Sequence, residues 1–130
     1  YDYGLTNPEI SKRMSEAGIK RNDIIFADSA EPKSIREILT SGFNIQATVK
    51  GPDSIIQGIQ KINQYPVFLV RSPNIQKEIK NYIWQIDKQG KTINKPVDRF
   101  NHALDAIRYG VVGLLGKKTK DSIITTPGKR

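Results

Sequence analysis

Two aspartates stand where a metal or a phosphate could be handled. Asp28 follows the continuous apolar run Ile24, Ile25, Phe26 and Ala27, which suits a short strand covered on both faces. A carboxylate at the point where such a strand gives way to a loop lies where open α/β sheets place their ligand sites. The same position suits a turn residue ahead of the helix opened by Pro32, and Glu31 reads as a helix-end carboxylate complementing the dipole. Asp98, His102, Asp105 and Tyr109 follow one another by four, three and four residues, which sets them in one stripe along a helix. Two carboxylates and the sole histidine thus share a face. Carboxylate oxygens suit Mg²⁺ or Mn²⁺, while imidazole suits Mn²⁺ or a supporting place behind a ligand. Against this stands a solvated polar face, with Asp98 serving only as a helix N-cap.

The elements that position these residues alternate between helix and strand. Asn7-Pro8-Glu9 reads as a cap with proline in the first turn, and Ile10, Met14 and Ala17 predict a helix over 8–17, ended by Gly18. The strand before Asp28 is followed by a helix from Pro32 to Gly42 and a β-rich segment from Phe43 to Val49. Ile55, Ile56, Ile59 and Ile62 mark a third helix starting after Asp53 or Ser54, and Val67 to Val70 a further buried-type strand. Asn74 is placed to cap a fourth helix bearing Ile75, Ile79 and Tyr82. Tyr82–Asp87 and Lys91–Ile93 then flank Lys88-Gln89-Gly90, a hairpin with Gly90 in the turn. The last helix is expected from near Asp98 to Gly116, with Phe100, Ala103, Leu104, Ile107, Val111 and Leu114 forming the packing stripe. Strands separated by helices imply an α/β fold with a largely parallel sheet flanked by helices, because parallel neighbours need a crossover.

Length and composition bound the function. With 130 residues the chain suits one domain: a core over 1–115 and a basic, flexible tail over 116–130. No apolar run reaches the roughly 18 residues of a membrane helix, and the lack of cysteine excludes disulfides and thiolate metal sites. The net charge of +8 favours a polyanionic partner, nucleic acid foremost. Half of that charge sits in the tail, where Lys117, Lys118, Lys120, Lys129 and Arg130 face only Asp121. Tyr1 is not an initiator methionine, so more chain is expected upstream.

Phe26-Ala27-Asp28-Ser29-Ala30-Glu31-Pro32-Lys33-Ser34-Ile35 and Asn101-His102-Ala103-Leu104-Asp105-Ala106-Ile107-Arg108-Tyr109 together resemble the second and third acidic motifs of the nuclease domains of phage terminase large subunits. Val49 to Ile55 resembles that family's Lys-Gly segment, and Tyr1 to Pro8 the stretch after its first strands, so the likeness covers about residues 1 to 112. It implies an RNase H-like fold, here lacking the opening strand or strands. It also implies a metal-dependent endonuclease in which carboxylates hold one or two Mg²⁺ or Mn²⁺ ions to cut DNA. Asp28 and Asp105 match two of the family's three aspartates, and His102 its histidine one turn earlier. No residue matches the first aspartate, and Asp2 lies in the wrong local context, so this stretch alone is expected to cut weakly or not at all.

By the same resemblance the partners are double-stranded DNA, an upstream ATPase domain of the same chain, the terminase small subunit and the portal, in the host bacterial cytoplasm, with no membrane. Lys33, Lys50 and Arg108 are candidate contacts to DNA phosphate, or solvated surface cations. Trp84 and Tyr82 could stack on bases, but Trp84 beside Ile83 and Ile86 reads as core. No phosphate-binding G-x-x-x-x-G-K-S/T loop occurs, so these residues are not expected to hydrolyse ATP. Two other functions fit the composition: a DNA- or portal-gripping module that does not cut, and a different RNase H-like recombinase or resolvase.

Overall fold

Helix α1 (Asn7–Glu16) is opened by Thr6 rather than Asn7. The Glu9 carboxylate reaches back to accept both the Thr6 N–H and its hydroxyl, each at 2.7 Å, which ties the helix start together. The computed structural model describes residues 3–69 and 72–121. In them α1 is followed by β1 (Ile25–Ala27), α2 (Pro32–Thr40), β2 (Ile45–Ala47), α3 (Ser54–Ile62) and α4 (Pro73–Asn81). Strands β3 (Trp84–Ile86) and β4 (Thr92–Pro96) then precede α5 (His102–Asp121).

Strands β1 and β2 pair in parallel, Ile25 opposite Ile45 and Ala27 opposite Ala47. Their crossover is α2, as the alternation demands. Phe43 is 1% exposed and packs with Ile38 and Ile45, against which Ile10, Met14, Ile19, Ile25 and Ile35 close from the flanking elements. The Arg21 guanidinium lies 4.0 Å over the Phe43 ring and donates to the Ser41 carbonyl at 2.7 Å, roofing this core with a cation whose charge stays at the surface.

Helix α5 lies on β1 and on α3 through two glycines. A Cβ on Gly113 would overlap the Phe26 ring, and one on Gly58 would sit 2.5 Å from the Arg108 side chain. Both contacts leave no room for a methyl group. Strands β3 and β4 form the expected hairpin. Gly90 has φ +79°, and the Asp87 carboxylate accepts the N–H groups of Gln89 and Lys91 at 2.9 and 2.8 Å.

Several expectations are corrected. Pro66 to Leu69 forms no strand, and Val67 and Phe68 are 54% and 86% exposed. Pro66 lacks an N–H, and no neighbouring strand among the described residues pairs with this run. Val70 lies outside the described residues. The fourth helix is opened by Ser72 with Pro73 behind it, which places Asn74 inside the first turn. Trp84 is 39% exposed on the hairpin rather than core. Helix α5 begins four residues later than expected, because the chain bends over 98–100 with Phe100 in the left-handed region at φ +54°. It also continues past Gly116 to Asp121. Asp2 and residues 122–130 of the expected tail lie outside the described residues. None of the described helices is long and apolar enough to cross a membrane.

Candidate functional site

Parallel pairing sends the C-terminal ends of β1 and β2 to the same edge of the sheet. Asp28 leaves that edge one residue after β1, and Lys50 three residues after β2. Their side chains meet in an ion pair, Lys50 Nζ to Asp28 Oδ1 at 2.5 Å, with both side chains 41% exposed. Asp28 Oδ1 also accepts the Ala30 N–H at 2.8 Å, so the turn role and the site role fall on one residue. Asp28 Oδ2 receives the Tyr109 hydroxyl at 3.3 Å.

Tyr109 is what joins the two acidic segments. It lies on α5 one turn after Asp105, on the same side of the helix, and its ring is 8% exposed. The Lys50 ammonium stands 5.6 Å from its ring centroid and the Arg108 guanidinium 4.7 Å. Lys50, first of all, holds the Asp28 carboxyl below the usual aspartate range, and the Ala30 N–H and the Tyr109 hydroxyl act in the same direction. Asp28 in turn raises Lys50 above the ordinary lysine value. Asp105 is 25% exposed at its side chain and bonded by Arg108 Nη2 at 2.9 Å. Close by, Tyr82 has a raised phenol pKa, chiefly through burial and then through the charge of Asp105.

The other candidates divide. His102 is the first residue of α5 and is exposed, rather than packed among Leu104, Ile107 and Val111. Asp98 lies before α5 and leaves the stripe; its carboxylate accepts the Asn101 side-chain amide at 3.3 Å. Lys33 is 88% exposed at its side chain and 3.9 Å from Glu37 one turn on. Arg108, expected on the surface facing phosphate, is 6% exposed, pressed between Asp105 and the Gly58 backbone. The packing of α3 on α5 leaves it no outward path.

Glu78 escaped the sequence reading. It is 4% exposed on α4, and its carboxylate accepts the N–H of Ala103 at 2.9 Å and of Leu104 at 3.0 Å in the first turn of α5. The signal was present: Ile75, Glu78 and Tyr82 are spaced by three and four residues, which puts Glu78 on the inward stripe of α4.

The donor chemistry fits a hard divalent cation. Lys50 holds the Asp28 carboxyl below the usual aspartate range, and the side chain is open to solvent. Among the described residues, however, no three His, Cys, Asp or Glu side chains gather into one metal-holding group. Asp28 is bonded by Tyr109, and Asp105 lies one turn before Tyr109 on α5.

Residues 1–112 match the family described as the terminase RNase H-like domain. The chain is 34% identical over 114 residues to the terminase large subunit of Bacillus phage SPP1, and 29% identical over 113 residues to the PBSX phage terminase large subunit of Bacillus subtilis. These alignments take in 81% and 85% of this chain but only 27% and 26% of the relatives' length. Among solved structures, the large terminase nuclease domain of bacteriophage SPP1, determined with bound Mn, superposes with a TM-score of 0.75 and 29% identity, over 87% of this chain and 66% of that one. The large terminase of a thermophilic bacteriophage superposes with a TM-score of 0.65 at 21% identity, over 85% of this chain and 29% of that one, a likeness of fold. With the family model matched over residues 1–112, the chain belongs to the RNase H-like nuclease domain family of phage terminase large subunits.

Proposed function

We propose that this domain is a divalent-metal-dependent DNA endonuclease that cuts concatemeric viral DNA during genome packaging. The reading rests on one observation: Tyr109, one turn from Asp105, bonds Asp28 at the sheet edge. Asp28 and Asp105 would hold Mg²⁺ or Mn²⁺, with His102 supporting the ion or the scissile phosphate. The bound ion supplies Lewis acidity and lowers the pKa of water for attack on phosphorus. The chain's own part is to fix the carboxylates: Ala30 N–H and Tyr109 hydroxyl orient Asp28, and Arg108 orients Asp105. Lys50, and Lys33 from the exposed face of α2, would meet DNA phosphate. The partners are double-stranded DNA, the terminase ATPase domain, the small subunit and the portal, in the host bacterial cytoplasm.

Supercoiled plasmid incubated with Mn²⁺ and a chain long enough to supply the family's first aspartate tests this. Asp28→Asn and Asp105→Asn should each lower nicking by about a hundredfold or more while duplex affinity changes little, since the lost interaction belongs to the cutting step. A second reading is favoured by the absence of a third ligand among the described residues: a domain that grips DNA without cutting. Duplex binding that weakens with salt, with no nicking under any divalent cation even when upstream residues are included, would establish it.

A further inference from the structure

We infer that Glu78 is a positioning residue for the nuclease site, a strut from α4 that fixes where the catalytic helix α5 begins. The inference rests on the nuclease reading above and adds to it a residue outside the acidic motifs.

A helix leaves its first N–H groups without partners, and a side chain just before the first turn ordinarily takes them. In α5 that local solution is not used. Asn101, whose carbonyl accepts the Asp105 N–H at 2.7 Å, directs its side-chain amide to Asp98 instead. The orphan donors of Ala103 and Leu104 go to a carboxylate 25 and 26 residues earlier in the chain. Burying a carboxylate is costly unless hydrogen bonds and opposite charge offset it. Here the two N–H groups and the positive end of α5 do so.

This arrangement differs in consequence from an ordinary cap. A cap supplied by Asn101 would stabilise α5 wherever the helix lay. Glu78 can satisfy Ala103 and Leu104 only while α4 and α5 keep one mutual placement. His102 immediately precedes the two bonded residues and Asp105 immediately follows them, so the tether acts on the turn that carries both. Displacements of about 1 Å in a site can lower the rate a hundredfold, so the tether acts on catalysis through Asp105 without touching substrate.

The test uses Glu78→Ala and Glu78→Gln in the full chain, assayed at a temperature where thermal melts show both variants folded. Glu78→Ala should lower kcat for plasmid nicking about tenfold or more. KM for duplex should stay within about twofold, because Glu78 meets no phosphate, and Mn²⁺ affinity, read from the free-ion EPR signal, should fall. Glu78→Gln keeps the reach and one accepting oxygen and should recover a large part of the loss. If Glu78→Ala lowers only the melting temperature, leaving kcat and Mn²⁺ affinity intact, Glu78 is a cap alone and the inference is wrong. If KM rises as much as kcat falls, the effect lies in DNA binding, which also overturns it. A wild-type chain that supplies the family's first aspartate yet neither cuts nor binds Mn²⁺ sinks the nuclease reading and this inference with it. Wild-type cutting with unchanged variants sinks this inference alone.

Discussion

The two ends of this domain treat similar apolar residues differently. Around β1 and β2, Phe43 is 1% exposed and Ile45 7%, whereas beyond α3 Phe68 is 86% exposed, Ile86 63% and Ile83 56%. Hydrophobicity of the residue does not separate the two sets; availability of a covering element does. Ile25 and Ile45 face each other across a ladder with α1 and α2 packed against them, while the run from Pro66 to Leu69 has no paired strand among the described residues. An open cavity of about 450 Å³ lies beside it, lined by Ile59, Ile79, Trp84 and Leu104 among others. Apolar surface stabilises only where something removes it from water.

The sharpest way to break this contrast is a pair of truncations. Phe43→Ala should cost about 3–5 kcal/mol of unfolding free energy, and Phe68→Ala less than about 0.5 kcal/mol, both measured by denaturant titration. Similar losses at the two sites would mean that Phe68 is covered in solution and that the two ends are alike.

A smaller effect separates two glycines on α5. Gly113→Ala places a methyl group against the Phe26 ring and should destabilise by about 1–3 kcal/mol through overpacking. A Cβ on Gly110 meets nothing within 4 Å, so Gly110→Ala should stabilise by up to about 1 kcal/mol through helix propensity. Thermal melts that shift in the same direction for both would show that α5 does not rest on β1 through Gly113.

The smallest effect concerns the ion pair at the edge. Asp28 is depressed, so its contribution is complete above the ordinary carboxylate value and is lost as pH falls through the lowered one. Lys50 is raised, so its contribution is complete below the ordinary lysine value and is lost as pH rises through the raised one. With both groups well exposed, Lys50→Met should cost less than about 1 kcal/mol between those limits. The Asp28 carboxyl titration, followed by NMR, should move upward toward the ordinary aspartate value. An unmoved titration would mean that Ala30 and Tyr109 hold Asp28 without help from Lys50.

Local signals in the sequence went far in this molecule. Pro8, Pro32 and the Gly90 turn state their elements directly, since each fixes or frees a backbone dihedral. An approach of Asp28 to the last helix, seen in its bond from Tyr109, was expected only through resemblance to a family, because spacing along the chain carries no record of which turns meet across a fold. Contacts with long sequence separation were the ones missed. Arg108 has the type of a surface cation and reads as one; only the approach of Gly58 buries it. The late start of α5 was hidden because the left-handed turn at Phe100 is a conformation that its residue type disfavours. Glu78 looked like any helical glutamate, as its partners are backbone groups that no side-chain pattern records.

The register of β1 and β2 also works as a ruler. Ala27 stands level with Ala47, and the Thr48 N–H continues the alignment by donating to the Ala27 carbonyl at 2.8 Å. A ladder this short could pair one residue out of step with little change in its backbone bonds, but each step moves a side chain by about 3.3 Å and turns it to the opposite face. In a slipped arrangement Lys50, carried by the segment after β2, would no longer reach Asp28. The ion pair thus acts as a check on strand alignment at the end of the ladder, and misaligned chains forgo it.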